Sequence, residues 1–181
     1  MAAVITLTSA AQAAYIVGNI DFGGGTVGLQ KANGTAVGST DSFVGTAAKL
    51  DFVTGSTVNI ADGTFTGLTG SAVVFNQDPW TFAPLSTGNL WTVGGFTFDV
   101  KSVAVSGNFN ALEIIGTGTV SATGYDTSSG EWVLTTQRTN GSNRSTFSWS
   151  SSATSVPDGG ATVALFGLSL LGLTSVRRFV K

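Results

Sequence analysis

The sequence predicts an all-β body, antiparallel and sandwich-like, followed by a single C-terminal transmembrane helix. Three observations predict it. Short apolar/polar alternations with period 2 recur through the chain, separated by glycine-rich turns about 8–12 residues apart, which is the pattern of a sandwich or barrel. Charged residues make up 10% of the chain, against about 25% in an ordinary globular domain, while 42% are apolar. An uncharged, proline-free apolar run, Ala161 to Val176, lies close to the C-terminus and is followed at once by Arg177-Arg178.

The N-terminal stretch, residues 1–13, is apolar and ends in Ala11-Gln12-Ala13, an A-x-A signal-peptidase pattern. It is expected to be a signal peptide, whole or truncated, because no basic residue precedes the apolar stretch. The body is expected over residues 14–149. Tyr15 to Ile20 reads as a first strand, broken by a turn at Gly23-Gly24-Gly25. That triplet is no phosphate loop, since neither a Lys-Ser/Thr pair nor a helical pattern follows it. Asn33-Gly34 is a hairpin-turn signal. Strands are expected at Ala48–Val53, Ser56–Ala61, Thr64–Leu68 and Ser71–Phe75, with a tight turn at Asp62-Gly63. Asp78 to Pro84 reads as a loop with two prolines and two large rings, Trp80 and Phe82. Those rings are the candidate carbohydrate contact, because aromatic faces suit sugar C–H surfaces; rings closing the edge of a sandwich are the plainer alternative.

The second half alternates more cleanly. Strands are expected at Leu90–Val93, Phe96–Val100, Val103–Gly107, Ala111–Ile115, Thr119–Thr123, Glu131–Thr136 and Thr146–Ser150. Phe96, Phe98 and Val100 face one way, Thr97 and Asp99 the other. Trp132 and Leu134 share a face, as do Phe147 and Trp149. Gly94-Gly95, Gly107-Asn108, Gly116-Thr117-Gly118, residues 126–130 and Asn140-Gly141 read as turns. Residues 150–155 read as a polar linker.

The tail, residues 156–181, has three parts: Val156-Pro157-Asp158-Gly159-Gly160, the 16-residue run 161–176, and the basic end. A helix over the run spans roughly 24 Å, slightly less than a bilayer core of about 30 Å. The glycines extend it and the arginines snorkel, so the mismatch is tolerable. Arg177 and Arg178 set the topology, because Lys and Arg stay on the cytoplasmic side. The body is then outside.

Several chemistries are excluded. With no Cys and no His, thiolate sites, disulfides and Ser–His nucleophiles are impossible. A carboxylate pair such as Asp126 with Glu131 or Asp99 with Glu113 is the strongest candidate for hydrolysis, and solvated acids at turns and strand ends are the ordinary reading. No catalytic residue, metal site or cofactor is assigned, and no enzyme is expected. Lys and Arg are scattered, so nucleic acid is not an expected partner.

The order Val-Pro-acidic motif, glycine-containing apolar helix, terminal Arg cluster resembles the PEP-CTERM sorting signal in its VPDSG-type variant. Phe179-Val180-Lys181 departs from the usual Arg-rich end. The run from Leu90 to Ala153 is also similar to the bodies of many PEP-CTERM proteins. The resemblance implies an exosortase as partner, with Val156 to Gly160 as its recognition signal. It implies transient membrane anchoring, removal of the tail, and delivery to the cell surface or extracellular matrix. The expected role is structural or interactive; the alternative is a carbohydrate-binding module acting on exopolysaccharide.

Overall fold

Twelve strands and one short 3-10 turn account for the body in the computed structural model, which describes residues 13–53, 55–138 and, as backbone pairing, 144–154. In chain order they are β1 (Ala14–Tyr15), β2 (Gly18–Gln30), β3 (Lys49–Phe52), β4 (Ser56–Ala61), the turn Gly63–Phe65, β5 (Ala72–Phe75), β6 (Trp80–Thr81), β7 (Gly88–Val93), β8 (Phe96–Gly107), β9 (Ala111–Ser121), β10 (Tyr125–Asp126), β11 (Ser128–Arg138) and β12 (Arg144–Thr154). The all-β, antiparallel expectation holds; the small β1–β10 pair is parallel.

The pairing closes on itself. The order β12-β11-β9-β8-β7-β5-β4-β2 is completed by a direct pairing of β12 with β2, giving a ring of eight strands. The expected two-sheet sandwich is therefore replaced by one closed sheet. β3, and beyond it β6, continue from the C-terminal half of β2. Closure demands bent strands, and four bulges supply the bends. They leave an extra residue at Asn59, Leu90 and Lys101, and two residues of β2, Gly24 and Gly25, face one of β12.

Side chains fill the inside of a ring of this size. The alternation read from the sequence puts Phe96, Phe98, Val100, Trp132 and Leu134 inside, joined by Phe22, Trp80, Trp91 and Ile114. Phe98 stacks on Trp91 at 5.3 Å between centroids and meets Trp132 edge-on at 6.5 Å. Thr97 and Asp99 face outward as expected. Phe147 and Trp149 sit opposite Thr136 and Leu134 in the ladder; their side chains lie outside the described residues.

Glycine accounts for two corrections. Gly23-Gly24-Gly25 is no break: it lies inside β2, with Gly24 at φ +77° forming the bulge. Gly116-Thr117-Gly118 is no turn either, but the middle of β9. A Cβ on Gly118 would collide with the Phe98 ring and sit 2.6 Å from the Asp99 carbonyl; one on Gly116 would strike the Ser102 carbonyl. These glycines let rings and backbone approach the strand.

Other expectations also change. Val103–Gly107 joins Phe96–Val100 as one strand through the Lys101 bulge. Thr64–Leu68 is a 3-10 turn and loop, tied to the start of β2 by Thr64 N–H donating to the Val17 carbonyl at 2.7 Å. Residues 150–154 belong to β12, paired with both β11 and β2, so they are strand and not linker. The Asn33-Gly34 turn is present, with Gly34 N–H donating to the Lys31 carbonyl at 2.9 Å.

Candidate functional site

Sequence placed the functional signal in the tail, and the last described strand ends just before it. β12 runs to Thr154, held on one side by Ser129–Thr154 and Gly130–Ala153 pairs and on the other by Gly18–Ala153. Val156, Pro157, Asp158, Gly159, Gly160, the run 161–176, Arg177 and Arg178 lie outside the described residues, as do residues 1–12 of the expected 1–13 leader. Among the described residues no helix is long and apolar enough to cross a membrane.

Within the body, the aromatic loop is not the platform expected. Trp80 is 0% and Phe82 2% exposed. β6 pairs with β3 through Leu50–Trp80 and Lys49–Thr81, which turns the indole inward. There it meets Trp132 edge-on at 5.7 Å and donates its Nε1–H to the Ser86 carbonyl at 3.1 Å. A ring buried on both faces offers no surface to a sugar, so the carbohydrate assignment to Trp80 and Phe82 is withdrawn.

Asp99 and Glu113 are apart. Asp99 faces Thr119 and Glu113 faces Ser106, seven positions along β8 and so about 20 Å distant at the usual strand rise. Glu113 accepts a hydrogen bond from Ser106 Oγ at 2.9 Å. Asp126 lies in the β1–β10 pair and Glu131 on the outer face of β11. Hydrolytic pairs need about 5–9.5 Å. Both Asp62 oxygens accept bonds from Asn19, its backbone N–H at 2.6 Å and Nδ2 at 3.3 and 3.0 Å. Those bonds, the Nδ2 contact foremost, hold the Asp62 carboxyl below the usual range. Among the described residues no cluster of three metal-ligating side chains occurs.

Two features escaped the sequence. The first is a clamp around Arg138 at the end of β11. Its Nη1 donates to the Ser39 carbonyl at 2.6 Å, and Nη2 to the Gly38 and Asp41 carbonyls at 3.2 and 2.8 Å. The guanidinium also lies over the rings of Phe43 and Phe109, 4.5 and 5.2 Å from their centroids. Asp41 beside it bonds Lys31 Nζ and Gly38 N–H, each at 2.8 Å, and the Lys31 contact is the larger cause of its lowered pKa. Only a contact 97–100 residues away in sequence joins these parts. The second is a groove of about 630 Å³ across β8, β9 and β11, with Ser102, Thr117 and Glu131 on one row and Ala104, Ile115 and Val133 on the next. Glu131 is the one titratable side chain among its lining residues.

Comparison with known proteins adds one finding. Residues 155–178 match the family model of the VPDSG-CTERM motif, a PEP-CTERM-type sorting signal. No curated protein and no solved structure matches the chain significantly.

Proposed function

We propose that this chain, which carries a VPDSG-CTERM motif over residues 155–178, is an exported surface or extracellular-matrix protein with a structural, non-enzymatic role. One observation carries the reading: the motif begins one residue after Thr154, the last paired residue of the barrel among the described residues. Cargo and signal abut, so an exosortase acting on the tail meets a finished body. The motif itself suggests export, membrane association and processing by an exosortase.

In this reading the leader over 1–13 directs export. The run 161–176 anchors the chain in the membrane, and Arg177 and Arg178 hold the C-terminus on the cytoplasmic side. Val156 to Gly160 are recognised by the processing enzyme and do no chemistry themselves. The separation of Asp99 from Glu113 supports a non-enzymatic body. The burial of Trp80 and Phe82 takes away the particular rings on which the carbohydrate-binding alternative rested.

Intact-mass measurement of the surface protein tests the proposal. With the cognate exosortase present, the mature protein should lack the 161–176 run; with that enzyme deleted, it should retain it. A full-length tail in both strains would reduce the motif to a plain membrane anchor.

A further inference from the structure

β8 pairs with β7 only as far as Val100. From Ser102 to Gly107 it pairs with β9 on one side, and among the described residues no strand pairs with its other side. All six residues are exposed except Val103, which is half-buried. An unpaired edge offers backbone N–H and C=O groups to another strand unless proline, charge or a cover blocks it. This edge has no proline, and its one charge, Lys101, sits at the bulge before it.

The edge reads Ser102-Val103-Ala104-Val105-Ser106, the same in both directions. Two antiparallel copies centred on Ala104 set Ala104 against Ala104, Val103 against Val105, Ser102 against Ser106, and Lys101 against Gly107. No like charges meet. Directly opposed residues of an antiparallel pair share a face. Val103 and Val105 lie in the rows of Trp132 and Leu134, so the four valines of two copies gather on the inner side and cover Val105, now 40% exposed. On the outer side the apolar row Ala104–Ile115–Val133, with Ile115 43% and Val133 37% exposed, runs on into its own symmetry mate.

We propose that the β8 edges of two copies pair antiparallel about Ala104, joining two barrels through one continuous sheet. The contact is isologous, as a two-fold dimer requires. Five residues of edge bury well under the roughly 1,200 Å² of a standard stable interface. The dimer is therefore weak in dilute solution and favoured where copies are crowded on one surface. The proposal goes beyond the sorting function and does not depend on it.

Because the chain has no Cys, single cysteines report proximity cleanly. The pairing sets the two Ala104 Cα atoms about 4.5–5.5 Å apart, within the roughly 4.4–6.8 Å span of a disulfide. On mild oxidation of the purified full chain, Ala104→Cys should give far more disulfide dimer than Thr57→Cys, which is exposed on β4. Adding Val105→Lys should lower the Ala104→Cys yield about tenfold, equivalent to roughly 1.4 kcal/mol, whereas Val105→Thr should leave it nearly unchanged. Mixed Val103→Cys and Val105→Cys chains should cross-link to each other in preference to themselves. Equal dimer from Ala104→Cys and Thr57→Cys overturns the proposal, as does a Val103/Val105 mixture without preference. Association through the membrane tail would link all positions alike, so it is told apart from edge pairing. Far-UV circular dichroism of each variant verifies that the barrel is intact.

Discussion

Phe98→Ala should remove much of the stability of the barrel, while Thr97→Ala, one residue away, should remove little. Phe98 is fully buried, stacked on Trp91 with an interplanar angle of 9° and edge-on to Trp132 at 84°. It also fills the space that the missing Cβ of Gly118 leaves open. Truncating a buried Phe costs about 3–5 kcal/mol, and loss of two ring pairs argues for the upper half of that range. An ordinary domain has about 5–15 kcal/mol in total. Thr97 is partly exposed on the outer face, and such a change is worth about 0.5 kcal/mol or less. With a urea slope near 2 kcal/mol/M, the midpoint should fall by about 2 M for Phe98→Ala and by about 0.25 M or less for Thr97→Ala. Tryptophan fluorescence follows the transition, because Trp80, Trp91 and Trp132 are buried around the site. Equal shifts for the two variants would refute the facing of β8 and the closed core drawn from it.

The Arg138 clamp predicts that Arg138→Ala raises hydrogen exchange and proteolysis in residues 38–46 before it affects β9 or β11, because three of the carbonyls that hold that loop lose their donor; protection of the loop that stays unchanged would count against the clamp. Asp41 and Asp62 have carboxyls held below their ordinary value, so the stability they contribute is present above about pH 4 and is lost as pH falls through their folded values. An Asp41→Asn, Asp62→Asn chain should accordingly show a shallower loss of stability below about pH 4, measured by acid titration of circular dichroism; an identical acid limb would deny them that role. For topology, a reporter fused after Lys181 should be cytoplasmic, and Arg177→Glu with Arg178→Glu should disturb insertion by removing the inside-positive signal; an exported reporter would reject the anchor.

What the sequence revealed and what it hid follow from the range of each interaction. β4, Ser56–Ala61, was legible to the residue, and the facing of Phe96, Phe98, Trp132 and Leu134 was legible from period 2, because both depend on neighbours in the chain. Glycine was misread wherever its reason was nonlocal. Gly118 looks like a turn residue until Phe98 is seen against it, and Gly24 looks like a break until β12 is seen opposite. Trp80 looked like a loop ring because its pairing partner, Leu50, lies thirty residues away. The serine-rich end of β12 looked like a linker because polarity usually marks solvent. A strand with partners on both sides satisfies its backbone whatever its side chains are.

That last misreading bears on how the tail and the body divide. β12 is the strand that closes the ring, bonded to β11 on one edge and to β2 on the other. It is also the last element before the motif at residues 155–178. Removing anything after Thr154 takes none of the described strands from the barrel, whereas a cut before Ser150 would strip residues from both ladders and expose the edges of β2 and β11. A ring closed by β12 can thus lose residues 155–178 without losing a described strand. The same arrangement requires the chain to be complete through Ala153, the last residue of β12 paired with β2, before the ring shuts.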